Sequence, residues 1–342
     1  MTARVLAVPR DRAEATRRWL KERGWLSAEF GVARRAETVF LPLTEDAAGP
    51  FPDGREEQVE LAAQPIVARS YRDALTGLSP TEREELPRSF DVVGDIVLIR
   101  LTDRWSATAP QIGQALLRFV PGARKVGWDH GVHGPTRRHS LQPLAGQGSW
   151  RTTHRENGLS LSVDLARAYF SPRLAREHAR VAALVRSGER VFDLCCGIGP
   201  FALTIARDAR AREVLAADVN PDAIALLQEN AQRLGVSGRI HAEVADVREF
   251  VGRSGRADRV VFNLPREGIM YLTSVSAAVE RGGTLHFYEV MERSEAASRP
   301  GQLVALMPAP SEWRAEPPRV IHAYAPSADL VAQTLRRGPA EG

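Results

Sequence analysis

The run DLCCGIGPF, residues 193–201, leaves a strand-like segment and enters a helix-like one through a turn holding two glycines. Gly197 and Gly199 would let the backbone pass close to a bound nucleoside, where a β-carbon would collide with it. Asp193 stands four residues before Gly197. A carboxylate there suits a cationic amino group or a hydroxyl, and it would repel a pyrophosphate. Asp218 closes the next predicted strand, placed to accept both hydroxyls of a ribose. Asp246 ends the third, where it can accept from an adenine amine, and Asn263-Leu264-Pro265 ends the fourth, offering an amide and a rigid carbonyl beside a transferred group. Together these groups fit S-adenosylmethionine (SAM) as cofactor. Gly197, Gly199 and Ala202 also satisfy the G-x-G-x-x-G/A spacing, so a nicotinamide dehydrogenase is a rival, one that Asp193 argues against. Cys195 and Cys196, the only cysteines, read as small turn residues and not as nucleophiles. An adjacent pair supplies neither a disulfide framework nor a four-thiolate zinc site, and no metal is expected.

The elements that must hold these residues follow from periodicity. From about Ala166 helix and strand alternate: a helix around LAREHARVAALVRSG, strands at ERVFDL, EVLAADV, RIHAEVAD, RADRVVFNLP and RGGTLHFYEVM, and helices between them, including FALTIARDA. Such βαβ repetition predicts an open parallel sheet with helices on both faces. Residues 125–162, rich in Gly, Thr, Arg and aromatics, suit twisted antiparallel strands. Ahead of them lie a strand at 90–101 and a helix at 109–120. The first 68 residues read as a small α/β unit, with a helix from about Asp11 whose Ala15, Trp19 and Leu20 share a face, and a turn-rich segment follows at 45–54.

Charge is unevenly placed. The chain of 342 residues has 46 basic and 42 acidic side chains, with lysine only at 21 and 125. Residues 118–186 hold 12 basic against four acidic groups, the footprint of a polyanion-binding face. In residues 1–68 the two signs nearly cancel. No run approaches the roughly 18 apolar residues of a membrane span, and the apolar stretch after Arg4 is short for a secretory leader. A cytoplasmic protein without a membrane partner is expected.

Through SFDVVGDIVLIRL (89–101), HRENG (154–158), VDLARAYFSPRLAREHARV (163–181), DLCCGIGPF, ADVNPDAI (217–224), DRVVFNLP (258–265) and GGTLHFYEV (282–290), the chain resembles the archaeal and eukaryotic tRNA (guanine-37-N1)-methyltransferases. The resemblance implies a Rossmann-like class I methyltransferase domain, α/β with an open, mostly parallel sheet, at 166–342. Two smaller α/β or α+β domains would precede it: 1–68 reading the tRNA elbow, and 69–165 presenting a basic face to the anticodon loop. It implies Glu177 as general base, Arg137 stabilising O6 of guanine (Arg138 if the alignment slips by one), Asn263 orienting the base, Tyr169 packing near the cofactor and Arg173 holding a backbone phosphate. Taken by residue type alone, Glu177 would be an exposed helical glutamate paired with Arg173, Arg137 and Arg138 would be phosphate contacts or solvated surface, and His154 a structural hydrogen-bonding residue. Cys195-Cys196, His178 and Arg266 stand where the family usually has Phe-Ala, Arg and Lys. A monomer is expected. The rivals are a wyosine-pathway enzyme of the same fold, transferring an aminocarboxypropyl group or methylating the tricyclic base, and a non-catalytic RNA-binding protein.

Overall fold

A computed structural model describes residues 1–27, 29–62, 70–207 and 211–339. The chain divides into two compact units, Met1–Asp73 and Ala74–Gly342. The anticipated boundary at 68/69 and the end of the anticipated helix 201–209 lie outside the described residues.

In the first unit β1 (Thr2–Pro9) lies inside an antiparallel sheet of order β2-β3-β1-β4, with β2 (Ala33–Arg35), β3 (Thr38–Pro42) and β4 (Arg55–Glu60), and α1 (Ala13–Glu22) packs on β1 and β3. The helix buries Thr16 and Leu20 and half-buries Ala13 and Trp19, while Ala15 is exposed. The apolar face is thus turned from the anticipated one. Thr16 can occupy it because its hydroxyl donates to the Arg12 carbonyl at 3.0 Å. Trp19, Trp25 and Phe51 meet edge to face with centroids 5.6–6.4 Å apart, each such pair adding about 1 kcal/mol beyond its area. β4, acid-rich with only Val59 buried, gave no apolar alternation to read; it is an edge strand held by β1.

The second unit begins with α2 (Pro80–Glu85), β5 (Asp91–Val93), β6 (Ile96–Ile99), α3 (Ala109–Phe119), β7 (Lys125–His133) and β8 (Arg138–Gly146), the strands forming a sheet of order β5-β6-β7-β8. The single strand anticipated at 90–101 is a hairpin instead. Gly94 turns it at φ +56°, and a β-carbon there would strike Thr152. A second hairpin, β9 (Arg151–Glu156) with β10 (Leu159–Asp164), follows.

The large sheet is built from β11 (Arg190–Leu194), β12 (Glu213–Asp218), β13 (Ile240–Val244), β14 (Ala257–Phe262), β15 (Val279–Glu292), β16 (Trp313–Ala315), β17 (Arg319–Ala323) and β18 (Ala328–Arg337). Around it lie α4 (Ala175–Leu184), α5 (Pro200–Arg207), α6 (Pro221–Arg233), α7 (Val247–Ser254), α8 (Leu272–Ala277) and α9 (Arg299–Ala305). Its order is β13-β12-β11-β14-β15-β18-β16, parallel from β13 to β15, with β18 antiparallel to β15, β16 and β17. β11 is covered on both faces, which is why Val191, Phe192 and Leu194 are all apolar and fully buried. One core runs from Val93 and Ile96 through Leu161 and Val163 to Ile205 and Leu227. The β9–β10 hairpin joins α6 through Asn230, whose side chain accepts from Ser162 N–H at 2.7 Å and donates to the Ser162 carbonyl at 3.0 Å. Strand order reverses between β11 and β14, and a crevice opens at the carboxyl ends of strands at such a reversal. Among the described residues no helix is long and apolar enough to cross a membrane.

Candidate active site

The turn after β11 sits at that reversal. Cys195, Gly197 and Gly199 have φ of 57°, 54° and 77°. At Gly197 a β-carbon would face open space except for the Tyr169 carbonyl 3.6 Å away, so this is where a nucleoside can approach the backbone. Gly199 answers a different need from the one read in the sequence: a β-carbon there would meet Leu227 of α6 at 2.5 Å. Its smallness seats α6.

Asp193 is fully buried, and its Oδ2 accepts the Ala202 N–H of α5 at 3.0 Å. Its Oδ1 has no partner among the described residues. Burial, opposed by the Ala202 hydrogen bond and reinforced by the charge of Asp218, pushes the carboxyl up to about 7. An orphaned carboxylate oxygen of this kind wants a cationic donor, which an α-ammonium group supplies. Asp218 ends β12, accepting Gly197 N–H at 2.8 Å and Asn220 N–H at 2.9 Å. Burial raises its pKa, with those two bonds and the Arg137 charge opposing. Asp246 caps α7, accepting Arg248 N–H at 2.8 Å. The Cys195 thiol feels Asp218, Asp193, Asp246 and Arg137 together and is raised chiefly by burial. Ala245 N–H donates to the Asp218 carbonyl at 3.1 Å, which sets Asp246 next to Asp218, so the three acids flank the turn after β11. Burial disfavours the thiolate form of the cysteine beside them. Asn263 donates its N–H to the Leu194 carbonyl at 3.4 Å, and the Pro265 carbonyl accepts Val290 N–H at 2.9 Å, which pins the end of β14.

The opposite wall comes from the middle sheet. Arg137, in the β7–β8 loop, holds φ of 48°, a conformation costing a non-glycine residue roughly 1–2 kcal/mol. Its guanidinium lies 5.5 Å from the centre of the Tyr169 ring. Arg138 is instead paired with Asp222 at 2.8 Å, and Arg167 lies 3.6 Å from the same carboxyl group. Of the two arginines, 137 is the one turned toward the acids. Asn220 ties the wall to β12: its amide donates to the Arg167 carbonyl at 2.8 Å and the Thr136 carbonyl at 3.4 Å. Sequence reading missed this residue, although it lies within the ADVNPDAI motif.

Glu177 is 2 % exposed, which overturns its reading as a surface residue paired with Arg173. Its partners are Arg180 (2.6 and 2.9 Å), the Tyr288 hydroxyl (2.8 Å) and Arg319. Arg173 is bound to Asp91 at 2.7 Å. His178, the next residue, meets Glu156 at 2.7 Å, and His154 lies against Phe170 and accepts Gly94 N–H at 3.3 Å.

A Rossmann-like sheet with a glycine turn and acids at successive strand ends defines a class I methyltransferase. Comparison with known proteins is specific. Residues 152–311 match the TRM5/TYW2 methyltransferase domain and 71–149 the TYW2 N-terminal domain. The tRNA (guanine(37)-N(1))-methyltransferase Trm5b of Pyrococcus abyssi is 33 % identical over 287 residues, covering 83 % of each chain. Trm5b of Methanocaldococcus jannaschii is 29 % identical over 336 residues, 96 % of each. The crystal structure of the P. abyssi protein superposes with a TM-score of 0.73 at 30 % identity over 98 % of this chain and 99 % of that one. A complex of aTrm5 with tRNALeu gives 0.71 at 27 % over the same shares. The chain belongs to the TRM5/TYW2 methyltransferase family.

Proposed function

We infer that the protein transfers a methyl group from SAM to N1 of guanosine 37 of tRNA, next to the anticodon. The observation that carries this is the convergence of Asp193, Asp218 and Asp246 on the Gly197 turn, faced by Arg137 over Tyr169. The residues fit the cofactor: the orphaned Asp193 oxygen matches an ammonium, Asp218 a ribose diol, Asp246 an adenine amine, and the open side of Gly197 the nucleoside. SAM supplies an electrophilic methyl group on a sulfonium.

Guanine N1 carries a proton at neutral pH, so methylation needs a base, and negative charge grows on O6 as that proton leaves. Arg137 offers fixed-charge donors to O6. Glu177 takes the proton, and because both of its oxygens are engaged, one partner must yield. Arg319, half-exposed on β17, is the one with somewhere to go. Asn263 orients the base and Tyr169 packs beside the cofactor. Arg138 and Arg173 hold the tRNA backbone by exchanging their carboxylate partners for phosphates. Residues 1–68 read the tRNA elbow, 69–165 the anticodon arm, and 166–342 carry the chemistry, in a monomeric cytoplasmic enzyme.

The match of 71–149 to the TYW2 N-terminal domain makes aminocarboxypropyl transfer the alternative to separate. Incubation with SAM labelled in the methyl group, or separately in the carboxyl carbon, and with transcripts bearing G or A at position 37 does so. Methyl label on N1-methylguanosine from G37 transcripts alone is expected. Carboxyl label in the product, or methylation of A37 transcripts, refutes the assignment.

A further inference from the structure

Beside the candidate site lies a pair of groups to which no role has been given. Asp129 on β7 is buried and the His139 side chain on β8 is 4 % exposed, with His139 Nδ1 3.1 Å from Asp129 Oδ1. The same carboxylate accepts from Arg100 Nε at 3.2 Å and from Gly131 N–H at 3.0 Å. Burial alone would raise this carboxyl, but the hydrogen bonds from His139 and Gly131 and the charge of Arg100 bring it down to about 2. Asp129 is therefore an anion, which fixes Nδ1 of His139 as the ring's N–H donor. The register of β7 and β8 shifts between Asp129 and Val132, beside this pair.

The His139 ring stacks on that of Tyr169, with centroids 5.0 Å apart and planes 21° from parallel. Tyr169 is the residue that carries the Arg137 guanidinium, and it is 37 % exposed. Nε2 of His139 is buried without a partner among the described residues. A packing role alone would be met better by an apolar ring, which leaves no nitrogen unsatisfied. What the imidazole adds is the bond to Asp129, which sets the rotation of a ring whose χ2 is otherwise loosely defined.

We propose that His139, held by Asp129, is a positioning residue for methyl transfer: its ring fixes Tyr169, and through Tyr169 the Arg137 guanidinium, in the orientation the target guanine meets. The proposal rests on the methyl-transfer reading above. Ordering the wall before the base arrives removes that cost from the chemical step. It therefore acts on the rate of transfer more than on binding.

The test is single-turnover methylation of a G37 transcript, with SAM and tRNA dissociation constants measured on the same full-length preparations. His139→Ala is expected to lower the transfer rate about tenfold or more while both dissociation constants stay within about threefold. His139→Phe keeps the stack and loses the bond, so it should recover part of that rate and melt at a higher temperature than the alanine variant. Asp129→Asn should slow the wild type roughly three- to tenfold, yet change little in the His139→Phe background, because the charge-assisted bond it weakens is already gone. If the alanine variant does not fold, the phenylalanine variant and the double variant carry the comparison. A rate for His139→Ala within twofold of wild type, or an equal effect of Asp129→Asn in both backgrounds, overturns the proposal. Failure of the wild-type chain to methylate G37 overturns the functional reading and this proposal together.

Discussion

The Tyr288 hydroxyl donates to the Glu177 carboxylate at 2.8 Å, joining β15 to α4 across 111 residues of sequence. Tyr288 is fully buried, and Phe201 of α5 lies 5.5 Å from its ring. Glu177 is thus held from the sheet side, with Arg180 and Arg319 neutralising it. With Arg180 donating to both of its oxygens and Tyr288 to one, the side chain is held in place before any substrate binds.

Glu177→Gln keeps the shape and cannot take a proton. Single-turnover methylation should fall by roughly 10²–10⁴ while SAM and tRNA still bind. Near-normal transfer would make Glu177 a structural ion-pair residue.

Arg319→Ala should move the rate the other way. Loss of a neighbouring cation raises the basicity of the carboxylate and frees one oxygen, so transfer should quicken by roughly two- to fivefold at pH 8, where the carboxylate is ionised, and the gain should shrink in acid. A slower variant would show that Arg319 assists the base and does not restrain it.

Arg137 and Arg138 should separate cleanly. Arg137→Ala removes the guanidinium over Tyr169 and should slow transfer roughly 10²–10³-fold. Arg138→Ala breaks the surface pair with Asp222, worth under about 1 kcal/mol, and should alter tRNA affinity without touching the rate of the bound complex. Equal losses from both would place the pair jointly on the phosphate backbone.

Asp193 makes a prediction in pH. Its carboxyl, ordinarily at 3.8, is held at about 7 in the folded chain. The folded state therefore binds this proton more tightly than the unfolded state, and stability falls as pH rises from 4 toward 7. Asp193→Asn removes that loss: thermal melts without ligand should show the variant above wild type at pH 8, with the gap closing toward pH 5. Affinity for SAM runs oppositely, since the wild type needs the ionised carboxylate and should bind more tightly at pH 8 than at pH 6. A gap that widens in acid would contradict the burial argument.

Deleting residues 1–73 removes the whole first compact unit and none of the groups around Gly197. The truncated protein should bind SAM normally and methylate an anticodon stem-loop as well as the full chain does. It should lose the preference for an intact tRNA over that stem-loop, read as the ratio of kcat/KM values. An unchanged ratio would leave this unit without a part in tRNA recognition.

The βαβ order, the glycine turn and the acids at strand ends were legible in the sequence because each depends on local pattern: apolar runs for buried strands, Gly at positive φ, and carboxylates a fixed few residues from it. The hairpin at Gly94 was not, because alternation looks the same on both sides of a two-residue turn and only the approach of Thr152 requires the glycine. The sequence placed Glu177 on a helix but assigned it Arg173 by spacing. Tertiary packing gave it Tyr288 and Arg319, more than 100 residues away, and gave Arg173 to Asp91. Arg137 and Arg138 are indistinguishable as neighbours in a loop until Asp222 claims one of them and Tyr169 the other. Local steric preference writes itself into the order of residues. The partner of a charged side chain is chosen by which strands and helices come to lie beside it, and that is decided only when the sheet closes over its core.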